Sequence, residues 1–259
     1  MKQLFYVLIC LPILASCAKK IVNPKKDKTP ISALQYGNLV DTISFSGYTW
    51  RVRKPSNAQG PGPNYWSGAN VWVDEKGWLH LLIKKNETTN RWECAEVSTL
   101  RKLGYGNYQW QVEGALSTLD KNVVLGLFNY SGNDRFDEMD IEIARWGNSS
   151  YPNLNYTIYP QTGKTDAKPA SYVQEFSISD TKTTHRFIRT ATEITLKSLK
   201  GFNDDDTGLF ASKTFGTADV PVSSLEMPVF INLWLFDGHA PTDGKSVEVV
   251  IKGFKFSPN

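Results

Sequence analysis

The chain has 259 residues, 41% of them hydrophobic and 21% charged, ordinary values for a globular protein with room for one large all-β domain or two small ones. Its formal charge is only +3, and much of the basic excess sits in Lys19, Lys20, Lys25, Lys26 and Lys28. No basic stripe recurs in the body of the chain, which argues against a nucleic-acid partner. Aromatic residues reach 12%, with eight Trp and eleven Tyr, and suit either strand packing or apolar platforms for sugar rings.

The first element is an address. Lys2 precedes an apolar run from Leu4 to Leu14, too short to cross a bilayer comfortably as a helix. The run ends in Leu14-Ala15-Ser16-Cys17, which resembles the lipobox of bacterial lipoproteins. That resemblance implies cleavage before Cys17 and acylation of its thiol. The expected organisation is a lipoprotein signal peptide over 1–16, a lipidated flexible tether over 17–32, and a folded domain over 33–259. Such a protein is held at a membrane of the cell envelope through its N-terminal lipid; whether it faces the periplasm or the outside is left open. Of three cysteines, Cys10 leaves with the signal and Cys17 carries the lipid. Cys94 then stands alone, with no internal disulfide, and is expected to be a small buried apolar side chain.

From about residue 42 the chain alternates in short runs separated by turn residues. In order these include Asn70–Asp74, Trp78–Ile83, Tyr108–Val112, Val123–Phe128, Thr184–Arg189, Val229–Trp234 and Val247–Ile251. Asp74-Glu75-Lys76-Gly77 is a good hairpin turn, and Gly60-Pro61-Gly62-Pro63 marks a rigid loop. Asp204-Asp205-Asp206 marks a solvated hairpin rather than a calcium site. No internal repeat and no long helical periodicity appear, so a single β-sandwich or barrel is expected.

The segment Phe136-Asp137-Glu138-Met139-Asp140-Ile141-Glu142-Ile143-Ala144 is the most informative. As a strand it splits by parity. Met139, Ile141 and Ile143 enter a core, while Phe136, Glu138, Asp140, Glu142 and Ala144 share the other face. Three like charges on one face resist ionising together, so at least one pKa must rise. Glu138 and Glu142 are about 13 Å apart along the strand. Their side chains, leaning together, bring the carboxyl groups to about 5–6 Å, the spacing of retaining rather than inverting glycosidases.

Glu138-Met139-Asp140-Ile141-Glu142 resembles the ExDxE signature of glycoside hydrolase family 16. Tyr105-Gly106-Asn107-Tyr108 resembles that family's YGxF/Y element and Asn232-Leu233-Trp234 its NLW segment, in matching order. The resemblance implies a concanavalin-like jelly roll, a β-sandwich of two curved antiparallel sheets, with polysaccharide lying across the concave one. It implies Glu138 as nucleophile, Asp140 as assisting carboxylate and Glu142 as general acid/base. Glu96, Asn232 and Trp234 match residues that hold sugar, and Asn155 fits a polar cleft position. Trp66 and Trp146 stack on sugar or simply pack, and His239 lies at the cleft rim or in an exposed loop.

Two positions depart from the lichenase-like pattern: Ser98 replaces an Arg, and Phe136 replaces the Trp two residues before the nucleophile. The catalytic strand lacks the extra residue of laminarinase-like members, which leans toward lichenases and transglycosylases. The expected activity is endo-hydrolysis of a β-linked polysaccharide, with mixed-linkage or β-1,3-glucan ahead of galactans. The chain is expected to act as a monomer with no cofactor or metal. A non-catalytic glycan-binding surface lipoprotein and a transglycosylase of the same fold are the competing readings.

Overall fold

A computed structural model describes residues 41–259. The signal peptide, Cys17, the tether and the start of the expected domain at residue 33 lie outside the described residues. Sixteen strands follow in chain order. The first eight are β1 (Thr42–Phe45), β2 (Tyr48–Val52), β3 (Tyr65–Trp66), β4 (Val71–Val73), β5 (Leu79–Asn86), β6 (Arg91–Thr99), β7 (Gly106–Glu113) and β8 (Val123–Tyr130). The rest are β9 (Glu138–Ile143), β10 (Leu154–Tyr159), β11 (Ala170–Gln174), β12 (Lys182–Arg189), β13 (Glu193–Lys200), β14 (Leu209–Gly216), β15 (Val229–Leu235) and β16 (Val247–Pro258). Every strand run singled out in the sequence falls on one of these.

Apart from the short β3, which pairs parallel to β6, the strands form a curved antiparallel sheet folded over into a nearly closed jelly-roll sandwich. One layer runs β11-β10-β9-β8-β15-β6, extended by β2 and β1; the other runs β5-β16-β7-β12-β13-β14, with β4 on β5. Strand β6 makes the corner. Its first residues, Arg91 to Glu93, pair with β5 in one layer, and Ala95 to Thr99 pair with β15 and β2 in the other. At the opposite edge Gln174 Nε2 donates to the Phe210 carbonyl at 2.9 Å, tying β11 to β14.

Parity builds the core. Val123, Leu125 and Leu127 of β8, Met139, Ile141 and Ile143 of β9, and Ile231 and Leu233 of β15 point inward against Leu79, Leu81 and Ile83 of β5. Trp50, Tyr108, Trp110, Phe187 and Phe254 fill one end with tilted and edge-on ring contacts. Cys94 is buried as expected, its Sγ 3.2 Å from Asn64 Oδ1, and burial pushes its thiol up to about 12. The Asp204–Asp206 loop is a tether rather than a free hairpin. Asp204 accepts from Gln109, and Asp206 accepts from Arg186 and Lys197 on the outer face.

A polar chain also joins the layers. Tyr156 of β10 meets Ser198 of β13 at 2.6 Å, Ser198 meets His185 Nδ1 at 2.8 Å, and Thr183 meets His185 Nε2 at 3.0 Å. Desolvation lowers the His185 pKa from 6.5 to about 3, so the ring is neutral in the folded protein. Between those values the unfolded chain binds one proton more than the native one, and stability therefore rises with pH. Urea unfolding of the full chain from pH 6.5 down to 4 is expected to show this group's loss at about 1.4 kcal/mol per pH unit. His185→Gln is expected to remove that slope; equal slopes in the two proteins would show that His185 does not titrate on unfolding.

Candidate active site

Strand β9 lies between β8 and β10 with an unbroken register on both sides, the regular form expected. Its outward residues stand in rows that cross the sheet. The Glu142 row runs Asn155, Glu142, Gly126, Asn232 and Glu96. The Asp140 row runs Thr157, Asp140, Phe128, Phe230 and Ser98, and ends on Arg51 of β2. Glu138 stands between Tyr130 and Tyr159. The middle of these rows floors an open cleft of about 820 Å³, lined by all three acids and by Glu96, Asn232 and Trp234.

Burial dominates the electrostatics of the trio. It raises Glu138 to about 7, with further repulsion from Asp134. It raises Glu142 to about 8, with repulsion from Glu138, and holds Asp140 well above the usual carboxylate range, with repulsion from both glutamates. Both glutamates therefore hold a proton more tightly than a free carboxyl group does, and the trio titrates as a unit. Tyr159, pushed to about 12 by burial and then by the three acids, stays a phenol beside them.

The other wall is braced. Glu96 accepts from Asn232 Nδ2 at 3.1 Å, and Arg53 Nη1 donates to both Glu96 oxygens at 3.1 Å. Burial raises the Glu96 pKa, and the Arg53 charge opposes that rise. Arg53 also donates to Gly60 O at 2.8 Å, which fixes the Gly60-Pro61 loop at the cleft rim. Its guanidinium lies 4.3 Å over the Trp66 ring. Trp66 itself is buried in the core and donates to Gln59 O, so it supports Arg53 from beneath and is no sugar platform.

Two further positions differ from the sequence reading, Phe136 and Asn155. Phe136 does not share the carboxylate face, because Arg135 and Asp137 have φ of 70° and 51° and break the alternation just before Glu138. Phe136 is half-buried beside the strand entry and does not line the cleft. Asn155 is covered: it accepts from Trp146 Nε1 at 3.1 Å and donates to Ala144 O at 2.9 Å, so it holds Trp146 at the cleft wall. Trp146 does line the cleft, tilted 55° against Trp234 at 6.2 Å. His239 is exposed outside the cleft.

Sequence reasoning passed over Arg53, Phe128, Tyr130, Tyr159 and Phe230, all of which line the cleft. Parity carried a signal for three of them. Phe230 shares a face with Asn232 and Trp234, and Phe128 and Tyr130 share one with Gly126. Gly126 itself is required by its neighbour, since a Cβ there would stand 2.4 Å from Asn232 Oδ1. Gly126→Ala is expected to push Asn232 off Glu96 and to cost about 1–3 kcal/mol, read from urea unfolding. An unchanged midpoint would show that Asn232 relaxes freely.

No protein-family model matches the sequence, and no curated protein does. Solved structures do. A β-glucanase of Bacillus licheniformis is 18% identical with a TM-score of 0.58, covering 81% of this chain and 92% of that one. A family 16 endo-glucanase of Bacteroides ovatus, in complex with G4G3G-2F-DNP, is 14% identical with a TM-score of 0.62 over 80% and 94%. An immunostimulatory antigen and pseudo β-1,3-glucanase of Mycobacterium tuberculosis is 15% identical with a TM-score of 0.59 over 81% and 91%. The jelly roll is thus shared with these proteins: the chain has a glycoside hydrolase family 16-like fold.

Proposed function

We propose that the protein is a retaining endo-glycoside hydrolase that cleaves internal β-linkages of a polysaccharide. The observation that carries this reading is the acid trio at the cleft floor, with Glu138, Asp140 and Glu142 on one face of one strand and their pKa values raised by burial. Ionised Glu138 attacks the anomeric carbon, while protonated Glu142 gives its proton to the leaving oxygen. A covalent glycosyl-enzyme results. Glu142, now a base, takes a proton from water, which displaces Glu138 and regenerates both groups. Asp140 keeps its proton and hydrogen-bonds the nucleophile between steps. Glu96 and Asn232, locked together, present polar edges to the sugar, and Trp146 and Trp234 offer ring faces.

The substrates to test first are mixed-linkage glucan, laminarin, xyloglucan, agarose, porphyran and carrageenan. Reducing-sugar release by the full chain from at least one of them is expected, with loss in Glu138→Gln. Glu142→Gln is expected to lower kcat by about 10²–10⁴-fold. Catalysis needs Glu138 ionised and Glu142 protonated. Activity is therefore expected to fall as pH drops below about 7 and to fall again as it rises above about 8. The Mycobacterium tuberculosis neighbour, a pseudo β-1,3-glucanase, gives the second reading its weight. Binding retained by wild type and Glu138→Gln alike, with no sugar released from any glycan, would replace the hydrolase with a glycan-binding protein. Oligosaccharide products longer than the substrate would mark a transglycosylase.

We further propose that the protein works as a monomer in the bacterial cell envelope, anchored through acylated Cys17. The apolar run and the lipobox-like Leu14-Ala15-Ser16-Cys17 support this. Incorporation of labelled palmitate into the full chain, lost in Cys17→Ala, is the expected result; an unlabelled wild-type protein would refute the anchor.

A further inference from the structure

The Asp140 row leaves the acids by way of a stacked pair, Phe128 and Phe230, whose rings are 5.0 Å apart at 16°. It then meets Ser98 of β6 and Arg51 of β2. Four strand spacings separate Asp140 from Arg51, about 19 Å along the sheet. Here the cleft opens into a side pocket of about 420 Å³, which shares Arg53, Glu96, Pro228 and Phe230 with the main cleft. Ser98 is small enough to leave this space open, and Arg51 and Lys102 border it.

The pocket's charge is unbalanced. Arg51, Arg53 and Lys102 face a single carboxylate, Glu96, already bound by Arg53 and Asn232. Among the described residues neither Arg51 nor Lys102 forms an ion pair, and both are exposed. A neutral sugar seated here would offer the two cations only uncharged hydroxyl acceptors, which leave their charge unbalanced, whereas an oxyanion supplies charge-assisted hydrogen bonds. A planar guanidinium and a mobile ammonium suit an oxyanion with several oxygens.

We propose that this pocket is a subsite for an anionic sugar, in which Arg51 and Lys102 hold a sulfate ester or a carboxylate and Phe230 takes the ring face. The polysaccharide is then acidic, and its charged unit lies some strands away from the bond that breaks. This rests on the reading that the cleft binds polysaccharide, and it concerns recognition rather than chemistry.

The test is binding of the full chain to laminarin, sulfated laminarin and carboxymethylated laminarin by affinity electrophoresis, with cleavage measured alongside. One charged form is expected to bind about tenfold more tightly than laminarin, and which one identifies the oxyanion. Arg51→Ala/Lys102→Ala is expected to remove that preference, bringing the charged form down to the affinity of laminarin for the same variant. Lys84→Ala/Lys255→Ala, which deletes equal charge outside both pockets, is expected to keep it. Equal binding of all three polymers, or equal losses in the two double variants, would overturn the subsite. Cleavage without a charge preference would sink the subsite and leave the hydrolase standing. A preference that depends on Arg51 and Lys102, with no cleavage, would do the reverse.

Discussion

The site depends on one constraint: β9 is hydrogen-bonded on both edges in unbroken antiparallel register, so its side chains must alternate between core and cleft. Met139, Ile141 and Ile143 are buried against the opposite layer and fix which face is which. A slip of one residue would send three carboxylates into the sandwich interior, at a cost no single domain sustains. The same apolar face that stabilises the fold therefore holds the acids at the cleft floor. Register also aligns the rows across β8, β15 and β6, so residues far apart in sequence face the same stretch of the cleft.

Burial has opposite uses on the two sides of the cleft. Around β9 it is left largely uncompensated, and the pKa values of the acids rise above the usual carboxylate range. At β6 the buried Glu96 has Arg53 and Asn232 to oppose the rise that burial imposes, and the result is a fixed hydrogen-bonding edge. Trp66 beneath Arg53 and the Gly60 carbonyl beside it keep that brace in place.

Much of this was legible because alternation is local. The strands β4, β5, β7, β8, β12, β15 and β16 stand out in the sequence as short apolar-polar runs between turns, and the β9 acids separate by parity without any tertiary knowledge. What escaped depends on partners distant in sequence or on backbone conformation. Arg53 lies 43 residues from Glu96, and only the β2–β6 pairing brings them together. Asn155 looked like a cleft residue by parity, and Trp146 covers it. Phe136 looked like the next residue on the acid face, and the positive φ at Asp137 turns it away. Trp66 was ambiguous in the sequence, and burial decides for packing.

Cys94 has a bearing on where such a domain can work. Its sulfur lies in the core beside Asn64, and with the pKa near 12 it stays a thiol at physiological pH. Oxidants and thiol reagents act on the thiolate and need access to it, and here they find neither. The described residues hold no other cysteine, so the sandwich is held by packing and hydrogen bonds alone. Its folding is therefore indifferent to the redox poise of its surroundings and needs no oxidase or disulfide isomerase, whether the compartment is reducing or oxidising.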